Sequence, residues 1–271
     1  MSESCNGSCS SCPSAGSCNK IPPSTRQGVG RIIAVGSGKG GVGKSMVTTS
    51  LAVAMNRLGR KVGILDADIT GPSIPRAFGL KGPVVADDNG MLPPQSAGGI
   101  KVMSLNLLTK DETDPVVWRG SMIAGCVKQF WTDTYWGDID YLFVDMPPGT
   151  GDVPLTVFQS LPVDGIVVVT SPQDLVSMIV TKALRMAQLM KIPVLGLVEN
   201  FSFFQCPDCG KKHHIFGESK IAQVAAENKV IVLAQLPIDP ALAAACDAGE
   251  MEHAENYLMG AAVYIDGQMP E

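Results

Sequence analysis

The segment Gly36-Ser-Gly-Lys-Gly-Gly-Val-Gly-Lys-Ser45 lies between an apolar run at residues 31–35 and residues 46–58, whose apolar side chains recur at helical intervals. The short apolar run is typical of a central parallel strand. Within the segment, the spacing Gly38-x-x-x-x-Gly-Lys-Ser45 fits the P-loop pattern. In that pattern, glycines let backbone N–H groups surround a phosphate at a helix N-terminus. Strand, loop and helix follow in the required order, so the sequence predicts a phosphate-binding site.

Two side chains of this loop have expected chemical roles. Lys44 neutralises the β- and γ-phosphates of a nucleotide, and Ser45 binds Mg²⁺ through its hydroxyl. The loop therefore predicts ATP and Mg²⁺ as ligands. The other loop residues that we expect to contact the nucleotide are Gly38, Gly40, Gly41, Val42, Gly43 and Met46.

The composition describes an acidic chain that is long enough for a large core. It has 271 residues, of which 45% are hydrophobic, and its formal net charge is −5. This charge gives no general attraction to nucleic acid or anionic lipid, so we expect neither as a partner. No apolar run reaches the roughly 18 residues that span a bilayer, and the first residues lack the apolar region of a secretory signal. We therefore expect a cytoplasmic protein whose eight cysteines stay reduced.

Two aspartates follow a second apolar run at residues 61–65. They are Asp66 and Asp68, separated by one alanine. Carboxylates at the carboxyl end of a strand lie beside the nucleotide in an open α/β sheet. An aspartate in this place can also cap a helix, but a cap needs only one.

A third apolar run, residues 141–144, ends in Asp145. This pattern is typical of a Walker B motif, in which the aspartate holds Mg²⁺ through water. Gly149 follows in the next loop. We expect its backbone N–H to contact the γ-phosphate, so that the loop distinguishes ATP from ADP.

The remaining pattern predicts the fold class. Apolar runs at residues 164–170 and 192–198 indicate two more strands, with a helix at residues 173–190 between them. Strands that alternate with helices form parallel sheets with right-handed crossovers. We therefore predict an α/β domain over residues 28–271, with a doubly wound, mostly parallel sheet and helices on both faces. Residues 1–27 are small and polar, and we predict a flexible cysteine-rich tail there.

The tail carries four cysteines in the spacing C-x3-C-x2-C-x5-C. They are Cys5, Cys9, Cys12 and Cys18. Four thiolates can wrap a [4Fe-4S] cluster, because metal binding supplies the ordering free energy that the polar sequence lacks. A cluster site is the favoured interpretation. A zinc site with the same ligands and a tail without metal are the alternatives.

A second cysteine pattern, Cys206-Pro-Asp-Cys209-Gly, follows the run at residues 192–198. Such a turn points two sulfurs at one metal, as in a zinc knuckle. Two more ligands could come from His213 and His214, from the tail cysteines, or from the same pair in a second copy. The histidines follow too closely for the usual finger spacing, so we favour a second copy. A bridging [4Fe-4S] cluster is the favoured ligand, and zinc or a free or redox-active dithiol are the alternatives.

The phosphate loop is similar to the deviant Walker A motif of MinD, ParA and the nitrogenase iron protein, because it carries a second lysine, Lys39. The resemblance implies that Lys39 reaches across a nucleotide-sandwich homodimer to the phosphates of the partner. It also implies that Asp66 lies near the water shell of Mg²⁺ and that Asp68 polarises the attacking water. The residues implied to recognise or line the adenine site are Asn200, Pro237 and Asp239.

The motifs together resemble those of the Mrp/ApbC-type iron–sulfur cluster carrier proteins, a group that includes the eukaryotic scaffold ATPases of cytosolic cluster assembly. The shared motifs are Gly-Lys-Gly-Gly-Val-Gly-Lys-Ser, Asp-Ala-Asp-Ile-Thr-Gly-Pro-Ser, Asp-Met-Pro-Pro-Gly-Thr-Gly-Asp and Val-Glu-Asn-Phe-Ser-x-Phe-x-Cys-Pro-x-Cys-Gly, within residues 28–250. The resemblance implies slow ATP hydrolysis, a homodimer, and a labile [4Fe-4S] cluster on Cys206 and Cys209. It also implies cluster-assembly factors and apo iron–sulfur proteins as partners. The eukaryotic branch holds a second cluster on its tail, and here only Cys5 departs from the spacing of that branch.

Two other functions are compatible with the predicted fold. One is a MinD- or ParA-like positioning ATPase with a structural zinc knuckle, which would act on membrane or DNA. The acidic balance counts against it. The other is an electron-transfer reductase like the nitrogenase iron protein, whose bridging cysteines do not form a close C-x-x-C pair.

Overall fold

The computed structural model describes residues 28–69, 71, 73–109, 120–149, 151–173 and 176–268. The predicted tail and its four cysteines lie outside these residues. The strands are β1 Val29–Ser37, β2 Val62–Asp66, β3 Val85–Asp87, β4 Gly90–Leu92, β5 Lys101–Met103, β6 Ile139–Asp145, β7 Gly165–Thr170, β8 Val194–Gln205, β9 Lys212–His213 and β10 Val232–Pro237. The helices are α1 Lys44–Arg57, α2 Ile74–Ala77, α3 Gly120–Thr132, α4 Asp152–Ser160, α5 Val176–Leu189, α6 Ile221–Asn228, α7 Pro240–Ala248 and α8 Met259–Gln268.

A parallel sheet forms the centre of the fold. Its strand order is β10-β8-β7-β1-β6-β2-β5, and every neighbouring pair in this order is parallel. β1 lies between β6 and β7, and the chain leaves it first toward β2 on one side and later toward β7 and β8 on the other. A crevice forms where the connections diverge in this way, outside the carboxyl ends of the strands. The phosphate loop follows β1 at this point.

Helices cover both faces of the sheet. Alternate side chains of β1 enter two separate cores, Ile32 and Ala34 on one face and Ile33 and Val35 on the other. Helices α3 to α6 contribute to the first core, and α1, α2, α7 and α8 contribute to the second. The predicted fold class, a doubly wound parallel sheet with helices on both faces, is therefore confirmed.

The strand expected at residues 192–198 runs further than predicted. β8 ends at Gln205, beyond the polar residues Glu199 and Asn200. Phe201 has a φ of 58°, so the chain turns there without leaving the sheet. Beyond this turn, β8 pairs with the end of β10 and with β9. β9 follows β8 closely in the chain, whereas β10 begins 27 residues after β8 ends.

Shorter elements lie beside the central strands. β5 ends at Met103 and is followed by a single 3-10 turn, Leu105–Leu107. Helix α3 ends at Thr132, and the indole of Trp136 beyond it is fully buried. β3 and β4 form a small antiparallel hairpin before β5.

Helix α8 was not predicted. Its Ala262 and Ile265 side chains are fully buried in the second core. On its polar side, the Asp266 carboxylate accepts hydrogen bonds from the Arg60 guanidinium, both at 3.0 Å, and from the Tyr141 hydroxyl at 2.8 Å. These contacts attach the end of the domain to β6 and to the segment before β2. In the part of the chain that the structure describes, no helix has the length and apolarity needed to cross a membrane.

Candidate functional site

The loop between β1 and α1 has the backbone of a phosphate cradle. Gly41 and Gly43 have φ values of 77° and 76°, in the left-handed region that glycine adopts without steric cost. α1 begins at Lys44, directly after Gly43. The first N–H groups of a helix have no intrahelical acceptors, and they favour an anion at this end.

A cavity of about 330 Å³ opens over the loop. Residues 40–46 line it together with Asp68, Pro148 and Cys246. Sites for small molecules typically have volumes of about 300–1,000 Å³. The cavity is therefore large enough for the phosphates of a nucleotide.

Asp145 is the hydrogen-bonding centre of this site. Its fully buried carboxylate accepts hydrogen bonds from Lys44 Nζ at 2.8 Å, Ser45 Oγ at 2.6 Å and Thr48 Oγ1 at 2.9 Å. The structure thus brings together the loop lysine, the loop serine and the Walker B aspartate that the sequence singled out. A carboxylate and a hydroxyl are oxygen ligands of the kind that Mg²⁺ prefers.

Asp66 and Asp68 lie near Lys44. The Asp66 carboxylate is buried and accepts a hydrogen bond from Ser104 Oγ at 3.0 Å. Asp68 Oδ2 lies 3.6 Å from Lys44 Nζ. Burial, and then the nearby charge of Asp145, raise the pKa of Asp66 to about 8. A divalent cation would offset this repulsion between buried carboxylates, so the residues fit Mg²⁺.

Two groups that are predicted to reach phosphates are held by their own chain in this structure. The Gly149 N–H donates a hydrogen bond to the Ser37 carbonyl oxygen at 2.9 Å. Lys39 Nζ donates a hydrogen bond to the side-chain oxygen of Gln173. Their predicted roles therefore require both bonds to be exchanged for bonds to phosphate.

Asn200 lies directly behind the phosphate loop. It is fully buried, and its Nδ2 donates a hydrogen bond to the Val42 carbonyl oxygen at 3.0 Å. Its Oδ1 has no hydrogen-bond partner among the described residues. A buried acceptor without a partner is unusual and suits an added donor such as an amino group. Recognition of adenine by Asn200 stays a prediction.

The other two residues predicted near adenine lie at the end of β10. Pro237 is the last residue of that strand. Asp239 caps α7, since its Oδ1 accepts a hydrogen bond from the Ala241 N–H at 2.8 Å. Its Oδ2 accepts a second bond from the Tyr257 hydroxyl at 2.9 Å. Both carboxylate oxygens thus have structural partners, and a contact with adenine stays a prediction for these two residues.

The cysteine pair lies at the tip of a hairpin formed by β8 and β9. Cys209 is exposed and Cys206 is half-buried. The hairpin is closed by the Cys206 N–H, which donates to the Lys211 carbonyl oxygen at 3.0 Å. Hydrogen bonds from the backbone N–H groups of Cys209 and then Asp208 lower the pKa of the Cys206 thiol. The thiolate is the form that binds metal, so this turn favours a ligand state.

The two histidines of the hairpin do not join the cysteines. His213 is exposed in β9, and the Nδ1 atom of His214 lies 3.2 Å from the Ser202 carbonyl oxygen. Within the described ranges, no three His, Cys, Asp or Glu side chains are grouped to hold a metal ion. The described part of one chain therefore supplies two sulfurs at this place.

The other two described cysteines differ from the hairpin pair. Cys126 packs against the first core, and burial raises the pKa of its thiol to about 11. Cys246 lies in α7 and lines the cavity over the phosphate loop, a contact that the sequence did not indicate.

Sequence reasoning missed three polar contacts of the site. Thr48 is one helical turn after Lys44, so its position on the same helix face could have been recognised. Ser104 contacts Asp66, and Gln173 contacts Lys39, from loops that are distant in sequence. Neither of these two had a sequence signal.

A phosphate loop after the central strand, with carboxylates at the ends of β2 and β6, defines a P-loop NTPase. The family model described as ParA, NUBPL iron-transfer P-loop NTPase, matches residues 28–264. The chain belongs to this family, that of the iron–sulfur cluster carrier proteins.

Known proteins agree with this assignment. An iron–sulfur cluster carrier protein of Aquifex aeolicus is 47% identical over 82% of this chain, although the match covers only 62% of that relative. One from Methanocaldococcus jannaschii is 42% identical over 90% of this chain and 89% of the relative. The structure is also similar to that of a nucleotide-binding protein from Archaeoglobus fulgidus solved in complex with ADP. That similarity has a TM-score of 0.76 and 45% identity, over 84% of this chain and 90% of the other.

Proposed function

We propose that the protein binds and hydrolyses ATP and carries a [4Fe-4S] cluster to apo iron–sulfur proteins. The cluster is its cargo, held by Cys206 and Cys209 of two copies. The observation that carries the proposal is the exposed hairpin with two sulfurs, one of lowered pKa, in a domain that also has a cavity of about 330 Å³ over its phosphate loop. A [4Fe-4S] cluster takes four thiolates, so a two-fold pair of hairpins supplies the full set.

The phosphate site supports the ATPase part of the proposal. Lys44 would bind the β- and γ-phosphates once it exchanges its bond to Asp145 for phosphate oxygens. Ser45 and Asp145 would hold Mg²⁺, which neutralises charge on the phosphates. Asp68 Oδ2 lies 3.6 Å from Lys44 Nζ, so it is close enough to orient a water molecule beside the phosphates that Lys44 would bind. Lys39 would leave Gln173 and bind the phosphates of the second copy.

Cluster binding is tested by anaerobic reconstitution with ferrous iron and sulfide, followed by iron counting and Mössbauer spectroscopy. We expect the double variant Cys206→Ala/Cys209→Ala to lose the iron that bridges two chains. The control is Cys126→Ala, which removes a thiol that packs against the first core and should keep that iron. If the hairpin variant keeps its iron, or if purified protein holds stoichiometric zinc at the hairpin, the carrier proposal is wrong.

The ATPase part is tested separately by phosphate release. Lys44→Ala should abolish hydrolysis, whereas Lys39→Ala should leave ATP binding to one chain and lose the ATP-dependent dimer. Gel filtration with ATP distinguishes the two variants. A Lys39→Ala protein that still dimerises with ATP would contradict the role proposed for this lysine.

The tail is a second proposed cluster site, which lies outside the described residues. Substituting Cys9, Cys12 and Cys18 should remove iron that is independent of the hairpin cysteines. Leaving Cys5 in place tests whether it ligates the same cluster. We place the activity in the cytoplasm, where thiols stay reduced between transfers.

A further inference from the structure

The cysteine hairpin is attached to the domain at its base only. Every residue from 207 to 218 is exposed. Side chains at exposed positions gain little from packing, so the hairpin cannot be oriented by an apolar core. Its direction is therefore decided where the two arms leave the domain, at Ser202 and Phe203, which still pairs with β10, and at Ser219.

A single carboxylate joins the two arms at this place. Glu199 is 2% exposed and accepts hydrogen bonds from Ser202 Oγ at 2.6 Å, in the outgoing arm, and from Ser219 Oγ at 2.9 Å, in the returning arm. Gln235 Nε2, from the neighbouring strand β10, donates a third bond to it at 3.0 Å. We call Glu199, Ser202, Ser219 and Gln235 the base cluster.

The hydrogen bonds of the base cluster should hold both arms of the hairpin in one orientation. A buried carboxylate is costly unless it is hydrogen-bonded, and here three donors from three different segments satisfy it. Hydrogen bonds to an ionised acceptor are stronger and shorter than neutral ones. Movement of either arm would leave part of the charge without a donor, so the cluster resists rotation of the hairpin.

The same short segment also touches the nucleotide site. Asn200, the next residue, donates to the Val42 carbonyl oxygen in the phosphate loop. The ring of Phe201 also approaches the loop, with its Cζ atom 3.4 Å from where a Cβ on Gly43 would lie. Residues 199–201 therefore connect the loop that is predicted to bind phosphate with the base of the hairpin.

We propose that Glu199 is a positioning residue for cluster binding: it fixes the direction in which the hairpin presents Cys206 and Cys209 to the second copy. This inference rests on the proposed function. Cys206 lies four positions after Ser202 in extended chain, about 13 Å at roughly 3.3 Å per residue. A rotation of about 10° at the base moves the sulfur by about 2 Å, whereas a metal site tolerates errors of only about 0.5 Å.

The test compares Glu199→Gln with Glu227→Gln in the full chain. Both remove one carboxylate and keep the side-chain size, but Glu227 is exposed and accepts a single bond, from Gln223. After reconstitution with ferrous iron and sulfide, the rate of iron loss to a ferrous chelator is measured. We expect Glu199→Gln to lose hairpin iron at least about tenfold faster than wild type, because a displacement of about 2 Å exceeds what a metal site tolerates. Glu227→Gln should match wild type.

The exchanged pair Glu199→Gln/Gln235→Glu tests the mechanism by rescue. It restores one carboxylate and one amide in the base cluster, so iron loss should slow again toward the wild-type rate. ATP affinity should be unchanged in all three variants. If Glu199→Gln holds iron like wild type, or if its ATP affinity falls together with its iron retention, Glu199 has no specific role in positioning the hairpin.

Amide hydrogen exchange separates this inference from the proposed function, because it needs no cluster. Glu199→Gln should raise exchange in residues 203–206 and 211–214 and leave the phosphate loop as in wild type. If wild type binds no cluster but Glu199→Gln still raises exchange of these amides, the carrier function is wrong and the positioning role of Glu199 holds. If the amides do not respond, the positioning inference fails. Ser219→Ala, which removes one donor only, gives the same readout should Glu199→Gln fold poorly.

Discussion

The close approach of β8 to the phosphate loop leads to a prediction with a matched control. A Cβ on Gly43 would lie 2.3 Å from Nδ2 of Asn200, whereas a Cβ on Gly41 would meet no atom within 4 Å. The two glycines have nearly the same φ, 76° and 77°. Gly43→Ala and Gly41→Ala therefore share the backbone strain, and they differ only in the collision with Asn200.

The magnitude follows from these contacts. A left-handed backbone costs an alanine about 1–2 kcal/mol at either position. In Gly43→Ala, the Asn200 amide must also turn away from the Val42 carbonyl oxygen, and this breaks a buried hydrogen bond. An unsatisfied buried polar group costs about 1–3 kcal/mol more. Since 1 kcal/mol shifts the melting temperature of a domain of this size by about 2–4 °C, Gly43→Ala should melt about 2–12 °C below Gly41→Ala.

The assay is thermal unfolding of the two variants and wild type without nucleotide, followed by circular dichroism. Leaving out nucleotide matters because both substitutions alter the phosphate cradle and would change ligand stabilisation as well. Equal melting temperatures for the two variants would refute the reasoning. Asn200 would then not be packed against the loop in solution, and the link between the loop and the hairpin would lose its main contact.

Three further predictions concern other parts of the domain. Asp266→Asn should lower the free energy of unfolding in urea by about 1 kcal/mol near pH 7. The Arg60 guanidinium holds the pKa of Asp266 below its usual value. This contribution to stability is therefore present above the unfolded pKa of about 3.9 and is lost as the pH falls through the lower folded pKa. A difference in stability between Asp266→Asn and wild type that persists at about pH 2 would contradict the prediction. Ile265→Ala should lower the free energy of unfolding by about 2–5 kcal/mol. Val263→Ala, on the exposed side of α8, should lower it by less than about 0.5 kcal/mol. Similar losses for the two variants would mean that α8 does not pack against the second core. Iodoacetamide at about pH 8 should label the two hairpin cysteines well before Cys126, because burial raises the pKa of Cys126 to about 11. Peptide mass spectrometry measures the labelling of each cysteine. Early labelling of Cys126 would show that α3 opens.

The central part of the fold could be predicted because its signals are local. The loop glycines, the helix after them and the aspartates that end β2 and β6 all lie next to the strands that position them. In a parallel sheet the carboxyl ends of the strands share one edge. Asp145 was therefore expected near Lys44, and the structure gives 2.8 Å between them.

Helix α8 could not be predicted for the opposite reason. It contains Gly260 and Gly267, which lower its intrinsic helix propensity. Its helical state depends on burial of Ile265 against the second core and on the bonds from Arg60 and Tyr141 to Asp266. Tyr141 and Arg60 lie 125 and 206 residues before Asp266 in the chain. Tertiary contacts thus override local preference here.

Residues 199–201 show the same limit at the functional site. The expected strand ended before them, at residue 198, and Asn200 was assigned to the nucleotide from family resemblance alone. In the structure, these consecutive side chains contact two different parts of the domain. Glu199 accepts hydrogen bonds from both arms of the hairpin, and Asn200 donates one to the phosphate loop. A strand alternates its side chains between faces, but the left-handed Phe201 interrupts that alternation directly after them. A substitution at Glu199 is therefore expected to disturb the hairpin and one at Asn200 the phosphate loop, although the two residues are adjacent in β8.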